Sequence, residues 1–237
     1  MNMATASNGS TCSCLKVLDN PVAKKLLMAL TGFGLVGFLF IHLIGNMSLY
    51  AGPGGINVYG QALHALPPVV WAFRGAMLLL FVIHVWLGIK VTLENQDARP
   101  TPYARREYLK VTFASRTMIW TGAVIALLLI YHILHFTVQM LYPDTAANVL
   151  KDALGRPDVY TMVVASFKKV GIALLYVVWM SAITLHVSHG FHSGLQTLGL
   201  ASEKTLPLWT RLALCVAAFV FIAYTSIPAT ILAGMVK

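Results

Sequence analysis

The chain has 237 residues, of which 58% are hydrophobic and 11% charged, with 17 Lys and Arg against 8 Asp and Glu for a formal net charge of +9. Soluble domains carry roughly 25% charged residues, so this composition excludes a water-soluble globular protein and points to an integral membrane protein. The apolar stretches are continuous rather than alternating, which excludes a membrane β-barrel.

Five stretches are long enough to cross a bilayer as helices: Leu26–Tyr50, Val69–Leu93, Thr117–Leu141, Val170–Leu195 and Leu208–Val236. The expectation is an all-α, five-helix membrane bundle formed as one domain by residues 23–237, behind a polar tail over residues 1–22. The tail is rich in Ser, Thr and Asn and lacks the basic start, apolar core and cleavage site of a signal peptide. Its Cys12 and Cys14 are too close for a helical Cys-x-x-Cys redox motif, and Cys215 lies inside the fifth stretch. All three are read as free thiols without chemistry.

Orientation follows from the connections. Lys16, Lys24 and Lys25 precede or open the first stretch, and Lys90, Arg99, Arg105, Arg106, Lys110 and Arg116 lie between the second and third, whereas residues 51–68 carry no charge. Basic segments stay inside, so the N-terminus is expected in the cytoplasm and the C-terminus outside. Lys24 and Lys25 then mark the inner edge, where they meet lipid headgroups.

In the first stretch His42 follows Lys25 by 17 residues, roughly 25 Å up a core about 30 Å thick. The uncharged outer connection after it is expected to be helical from Asn57 to Leu66. Its Tyr59, Gln61 and His64 are candidates to line a quinone pocket, because a quinone head needs one or two hydrogen-bond partners in apolar surroundings. The alternative is an interfacial helix with polar tips. The second stretch carries Arg74 near its outer edge and His84 roughly 22 Å below that face. Starting inside at Arg116, the third stretch reaches His132 roughly 24 Å up, with His135 nearly a turn higher. The fourth descends from Lys169 to His186, roughly 25 Å down, and continues through His189 and His192 at a spacing of three.

Four histidines on four stretches thus sort into two levels, His42 with His132 near the outside and His84 with His186 near the inside. Neighbouring antiparallel helices in a bundle place the first opposite the third and the second opposite the fourth. Two imidazoles converging from opposite sides describe bis-histidine ligation of a heme iron, and two such pairs describe a transmembrane electron path. A zinc or copper site wants three or four ligands at one level, and a proton-driven transporter is expected to carry acidic residues within its spans. Around the pairs, His135 is a candidate for a heme propionate or a quinone. His189 and His192 are candidates for propionates or a partner subunit, and Arg116 is the cation nearest the inner heme edge.

The chain resembles a known family in AKKLLMALTG, in FIHLIGN around His42, in IHVWLGIKVTLEN followed by ARP around His84, in SRTMIWTG with YHILHFT around His132, and in LHVSHGFHSGLQTLGL around His186. The family is the five-helix, diheme cytochrome b membrane anchor (b558 type) of succinate dehydrogenase or fumarate reductase. The resemblance implies axial ligation of two b-type hemes by His42, His84, His132 and His186. It also implies cytoplasmic partners, a flavoprotein with covalent FAD and an iron-sulfur subunit, and electron exchange with a quinone, commonly menaquinone. It places the chain in the cell inner membrane, in a complex of the respiratory chain and tricarboxylic acid cycle that can itself oligomerise. Some family members use a glutamate in the outer connection and another two residues before the fourth-helix ligand. Here the first connection has no acidic residue and the second position is Thr184, so His64, Gln61 or water has to substitute. The alternative function is the diheme anchor of another quinone-linked enzyme, such as a hydrogenase or formate dehydrogenase, and a third class is a heme-free transporter.

Overall fold

The computed structural model of the protein describes residues 20–98 and 112–237. The expectations for Cys12, Cys14, Lys16, Arg99, Arg105, Arg106 and Lys110 concern residues outside that set. In chain order the helices are α1 (Pro21–Met47), α2 (Pro53–His64), α3 (Pro67–Asp97), α4 (Phe113–Arg116), α5 (Met118–His132), α6 (Val159–Phe167), α7 (Val170–Thr197) and α8 (Leu206–Leu232). A 3-10 turn, Ser48–Ala51, extends α1, and a π turn, Ile133–Thr137, extends α5. Among the described residues every regular element is helical. Five helices, α1, α3, α5, α7 and α8, are long and apolar enough to cross a membrane.

Local chemistry sets the ends of these helices. Asn20 caps α1 by accepting from Val22 N at 2.8 Å, with Pro21 in the first turn, where its missing N–H costs nothing. At the far end of α7, Gly199 adopts φ +75° and Leu200 N donates back to Leu195 O at 2.9 Å, the glycine stop that releases the last carbonyls of a helix.

The bundle is built around α7, which packs against α1, α5 and α8, while α1 also packs against α3. In the most apolar stretch of α7 44% of residues are buried, against 6% in α3, so α7 is the central helix and α3 faces outward. The helices α1, α3, α5 and α7 therefore run in order around a common centre, with α1 diagonal to α5 and α3 diagonal to α7, and α8 lies outside on α7. Leu49, Ile56, Phe167, Ile172, Tyr176, Trp179 and Val220 belong to one buried apolar cluster, which α6 and the end of α1 close from above.

Three expectations are revised. The outer-connection helix spans Pro53–His64 rather than starting at Asn57, because Gly52 at φ +72° turns the chain and Pro53 opens the helix. The third connection, where no helix is expected, contains α6, whose Met162, Val163, Val164 and Phe167 are apolar enough to be drawn into the core. Lys24 does not meet headgroups: it is 3% exposed, and its ammonium bonds both carboxylate oxygens of Glu94 at the same end of α3. Only Lys25 is exposed there. Arg74, near the outer edge, lies 5.0 Å over the Trp71 ring.

Candidate functional site: two histidine pairs at two levels

The end of the bundle covered by α2 and α6 is termed upper and the Lys24 end lower. At the upper level His42 on α1 and His132 on α5 stand with ring centroids 5.9 Å apart and planes at 86°. At the lower level His84 on α3 and His186 on α7 stand 6.2 Å apart at 67°. Each pair joins diagonal helices. Thr31, beside His84, and His42 lie 11 residues apart on α1, so the levels are separated by roughly 16 Å.

Both lower histidines are held by threonines. His84 Nδ1 lies 3.2 Å from Met28 O and 3.2 Å from Thr31 Oγ1, and that hydroxyl donates to Leu27 O and Met28 O. A carbonyl can only accept, so Nδ1 carries the proton of His84 and Nε2 the lone pair. The arrangement recurs at His186, whose Nδ1 lies 3.2 Å from Thr121 Oγ1, a hydroxyl that donates to Thr117 O and Met118 O. Beside each threonine a glycine lets the ring approach. A Cβ on Gly32 would lie 3.1 Å from His84 Cε1, and one on Gly122 would lie 3.4 Å from His186 Cε1.

Upper-level support is of another kind. His42 stacks on Phe38, centroids 5.2 Å apart, and meets the Tyr224 ring at 6.3 Å. His132 Nδ1 lies 3.3 Å from Tyr176 Oη, and the Trp179 ring lies 5.2 Å from the His132 ring. Among the described residues, two buried side-chain nitrogens lack a hydrogen-bond partner: Trp179 Nε1 at the upper level and His189 Nδ1, one turn from His186, at the lower.

The remaining candidate residues are more dispersed. His135 is 2% exposed and engaged on both nitrogens, by Tyr176 and by Ser166. Tyr59 lies against Gly45, where a Cβ would sit 2.6 Å from its ring, while Gln61 and His64 are exposed along α2. Arg116 ends α4 with its guanidinium 6.0 Å over Phe113. His192 lies against His189, centroids 5.0 Å apart, with its Nδ1 3.0 Å from Ser188 O. Thr184 donates to Met180 O at 2.7 Å and lines a groove of about 340 Å³ with Ser181, Leu185 and Phe221.

Gly32 stands out in the sequence as one of three glycines, with Gly34 and Gly37, that thin one side of the first stretch, whereas Thr31, Thr121 and Gly122 were not singled out, although a signal for them exists. Met28-x-x-Thr31-Gly32 precedes His42 by the same interval as Met118-x-x-Thr121-Gly122 precedes His132, and His84-Val85-x-x-Gly88 matches His186-Val187-x-x-Gly190. Helix pair α1–α3 is thus repeated in α5–α7, with the Thr-Gly of each first helix serving the histidine of the second. A second overlooked group covers the upper end. Asn57 of α2 is wholly buried, its Nδ2 bonding Asp152 at 3.2 Å and Asp158 at 3.1 Å while its Oδ1 accepts from Tyr160 N.

The chain matches no protein-family model, no curated protein and no solved structure.

Proposed function

We propose that this chain is the membrane anchor and electron-transfer subunit of a succinate:quinone oxidoreductase or quinol:fumarate reductase, with a b-type heme at each histidine level. The supporting observation is the spacing of the pairs. Two metal–imidazole bonds of about 2 Å, with about 1.2 Å from each nitrogen to its ring centre, set opposed ring centres about 6.4 Å apart, against 5.9 and 6.2 Å in the two pairs. The donor chemistry fits as well. At the lower level both Nδ1 atoms are spent on acceptors, which leaves Nε2 basic and available to iron. An unpartnered buried nitrogen remains at each level for a polar group of the occupant.

A bis-histidine heme passes single electrons by cycling between ferrous and ferric iron. The chain's own part is to hold the imidazoles in opposed pairs, fix the protons of His84 and His186 on Nδ1, and keep both sites within an apolar bundle. The lower level would face the cytoplasm, where a covalent-FAD flavoprotein and an iron-sulfur subunit dock on the basic connections. The quinone, menaquinone in this reading, would sit at the upper level beside α2, where Tyr59, Gln61 and His64 supply a hydroxyl, an amide and an imidazole. Quinol oxidation releases two protons with its two electrons, so it needs such groups with access to water. The setting is the cell inner membrane.

The test is heme content against protein concentration, expected at two per chain. His84→Ala and His186→Ala should each remove the same heme, and His42→Ala and His132→Ala the other. One heme or none, or loss of the same heme in His42→Ala and His84→Ala, contradicts the pairing. Co-purifying subunits separate this reading from an anchor of a hydrogenase or formate dehydrogenase, since covalent flavin accompanies only the first.

A further inference from the structure

The lower histidines are fixed by threonines that touch them, whereas His132 is reached through a longer chain. Ser166 Oγ lies 2.7 Å from Met162 O, His135 Nε2 lies 3.0 Å from Ser166 Oγ, His135 Nδ1 lies 3.2 Å from Tyr176 Oη, and His132 Nδ1 lies 3.3 Å from the same oxygen. Every donor in this series can be assigned from one end. The Met162 carbonyl has no proton, so Ser166 donates its only one there. Ser166 must then accept from His135, so His135 carries its proton on Nε2 and offers a lone pair on Nδ1. Tyr176 donates its only proton to that lone pair, and its oxygen is left to accept from His132 Nδ1.

We propose that Ser166, His135 and Tyr176 form a one-way hydrogen-bond chain, anchored on the Met162 carbonyl, that fixes the proton of His132 on Nδ1 and keeps Nε2 as its basic nitrogen. The three are positioning residues: they act on the upper centre only through His132. A doubly protonated His135 would break the series, and the surroundings oppose it. The ring is buried, stacked on Phe136 at 3.9 Å and walled by Tyr131 and Tyr142, and the Lys169 ammonium already lies 4.0 Å over Tyr142. A neutral histidine side chain in water prefers its proton on Nε2, so without the chain His132 would present the wrong nitrogen to a ligand. Among the described residues no threonine bonds His132, and Tyr176 takes the place that Thr31 and Thr121 hold at the lower level.

Tuning of the bound group rests on the function proposed above, whereas the tautomer of His132 does not. The experiment therefore has two arms on the full chain. In the first, the chain is made with 15N-histidine in heme-deficient cells and the His132 tautomer is read by nitrogen NMR. Wild type should favour Nδ1–H by about tenfold or more. Tyr176→Phe and Ser166→Ala should shift the population toward Nε2–H, and Ser166→Thr, which keeps the hydroxyl, should restore it. A wild-type His132 with its proton on Nε2, or variants that leave the tautomer unmoved, overturns the proposal. In the second arm, heme-loaded protein is titrated for reduction potential. Loss of the acceptor at Nδ1 makes the imidazole a weaker donor, so the upper potential should rise in Tyr176→Phe and Ser166→Ala and return in Ser166→Thr, with the lower potential unchanged. Equal movement of both potentials would mark a general structural effect and count against the proposal. If no heme binds, the functional reading fails and the NMR arm alone decides the chain.

Discussion

His84 and His186 differ in how closely a glycine lets them approach, and this gives a prediction at single residues. An added methyl on Gly32 would lie 3.1 Å from His84 Cε1, so the ring has to yield by a few tenths of an ångström, whereas one on Gly122 would meet His186 Cε1 at an ordinary 3.4 Å. Because His84 Nδ1 is already held by Met28 O and Thr31, the ring yields only by stretching those bonds. In the proposed reading, Gly32→Ala is expected to weaken heme retention at the lower level by roughly tenfold, the low end of the range for disturbing a ligand's supporting hydrogen bond. Gly122→Ala should leave retention within about twofold of wild type on the same scale. Heme loss to an apo-globin acceptor would measure both, and equal behaviour of the two variants would refute the contact argument.

At the scale of elements, α2 is tied to the connection before α6 by Asn57 and two carboxylates. Burial alone would raise the Asp152 carboxyl, but hydrogen bonds from Arg156, Asn57 and Leu154 outweigh it and hold it down to about 2 from an ordinary 3.8. Asp158 is lowered too: burial opposes the shift, and bonds from Thr161 and Asn57 prevail. For a carboxylate with a depressed folded value, the contribution to stability is complete above the ordinary value and disappears as pH falls through the folded one. The tie should therefore be intact at pH 5 and release between about pH 4 and 2. Amide hydrogen exchange in Pro53–His64 would show it as protection lost in that window, and Asn57→Leu should lose protection at pH 5 already. Exchange of α2 that is flat across the window would show that the carboxylates do not hold this helix. The tie bears on function in the proposed reading, since α2 carries the residues assigned to the quinone.

For the whole molecule, the basic connections at the lower end serve either membrane insertion or docking. If soluble subunits cover that end, the N-terminal tail and residues 90–116 and 193–206 should resist added protease in the intact complex and be cut once those subunits are stripped. Equal cutting in both preparations would leave the positive charge with a topological role alone, which is a sufficient reason for basic loops in any membrane protein. The outward position of α3, with 6% of its most apolar stretch buried, leaves one flank of the bundle to lipid or to neighbouring chains.

The five spans and the two histidine levels were legible in the sequence because both rest on local quantities: the length of an apolar run and the fixed rise of a helix. The ring-to-ring approach of His42 with His132 and of His84 with His186 depended on helix order as well, and the packing of successive antiparallel helices side by side constrains that order. Side-chain partners were not legible. Lys24 reads as a headgroup contact until α3 brings Glu94 to it across 70 residues, and Asn57 reads as the first residue of an outer-connection helix until Asp152 and Asp158 arrive from about a hundred residues away. His135 shows the same limit. Its depth placed it near the upper surface, but an unexpected helix, α6, covers it and supplies Ser166. Hydropathy and helical rise fix how deep a residue lies; which atom its side chain meets at that depth is decided by the rotation and packing of separate helices, which no local pattern encodes.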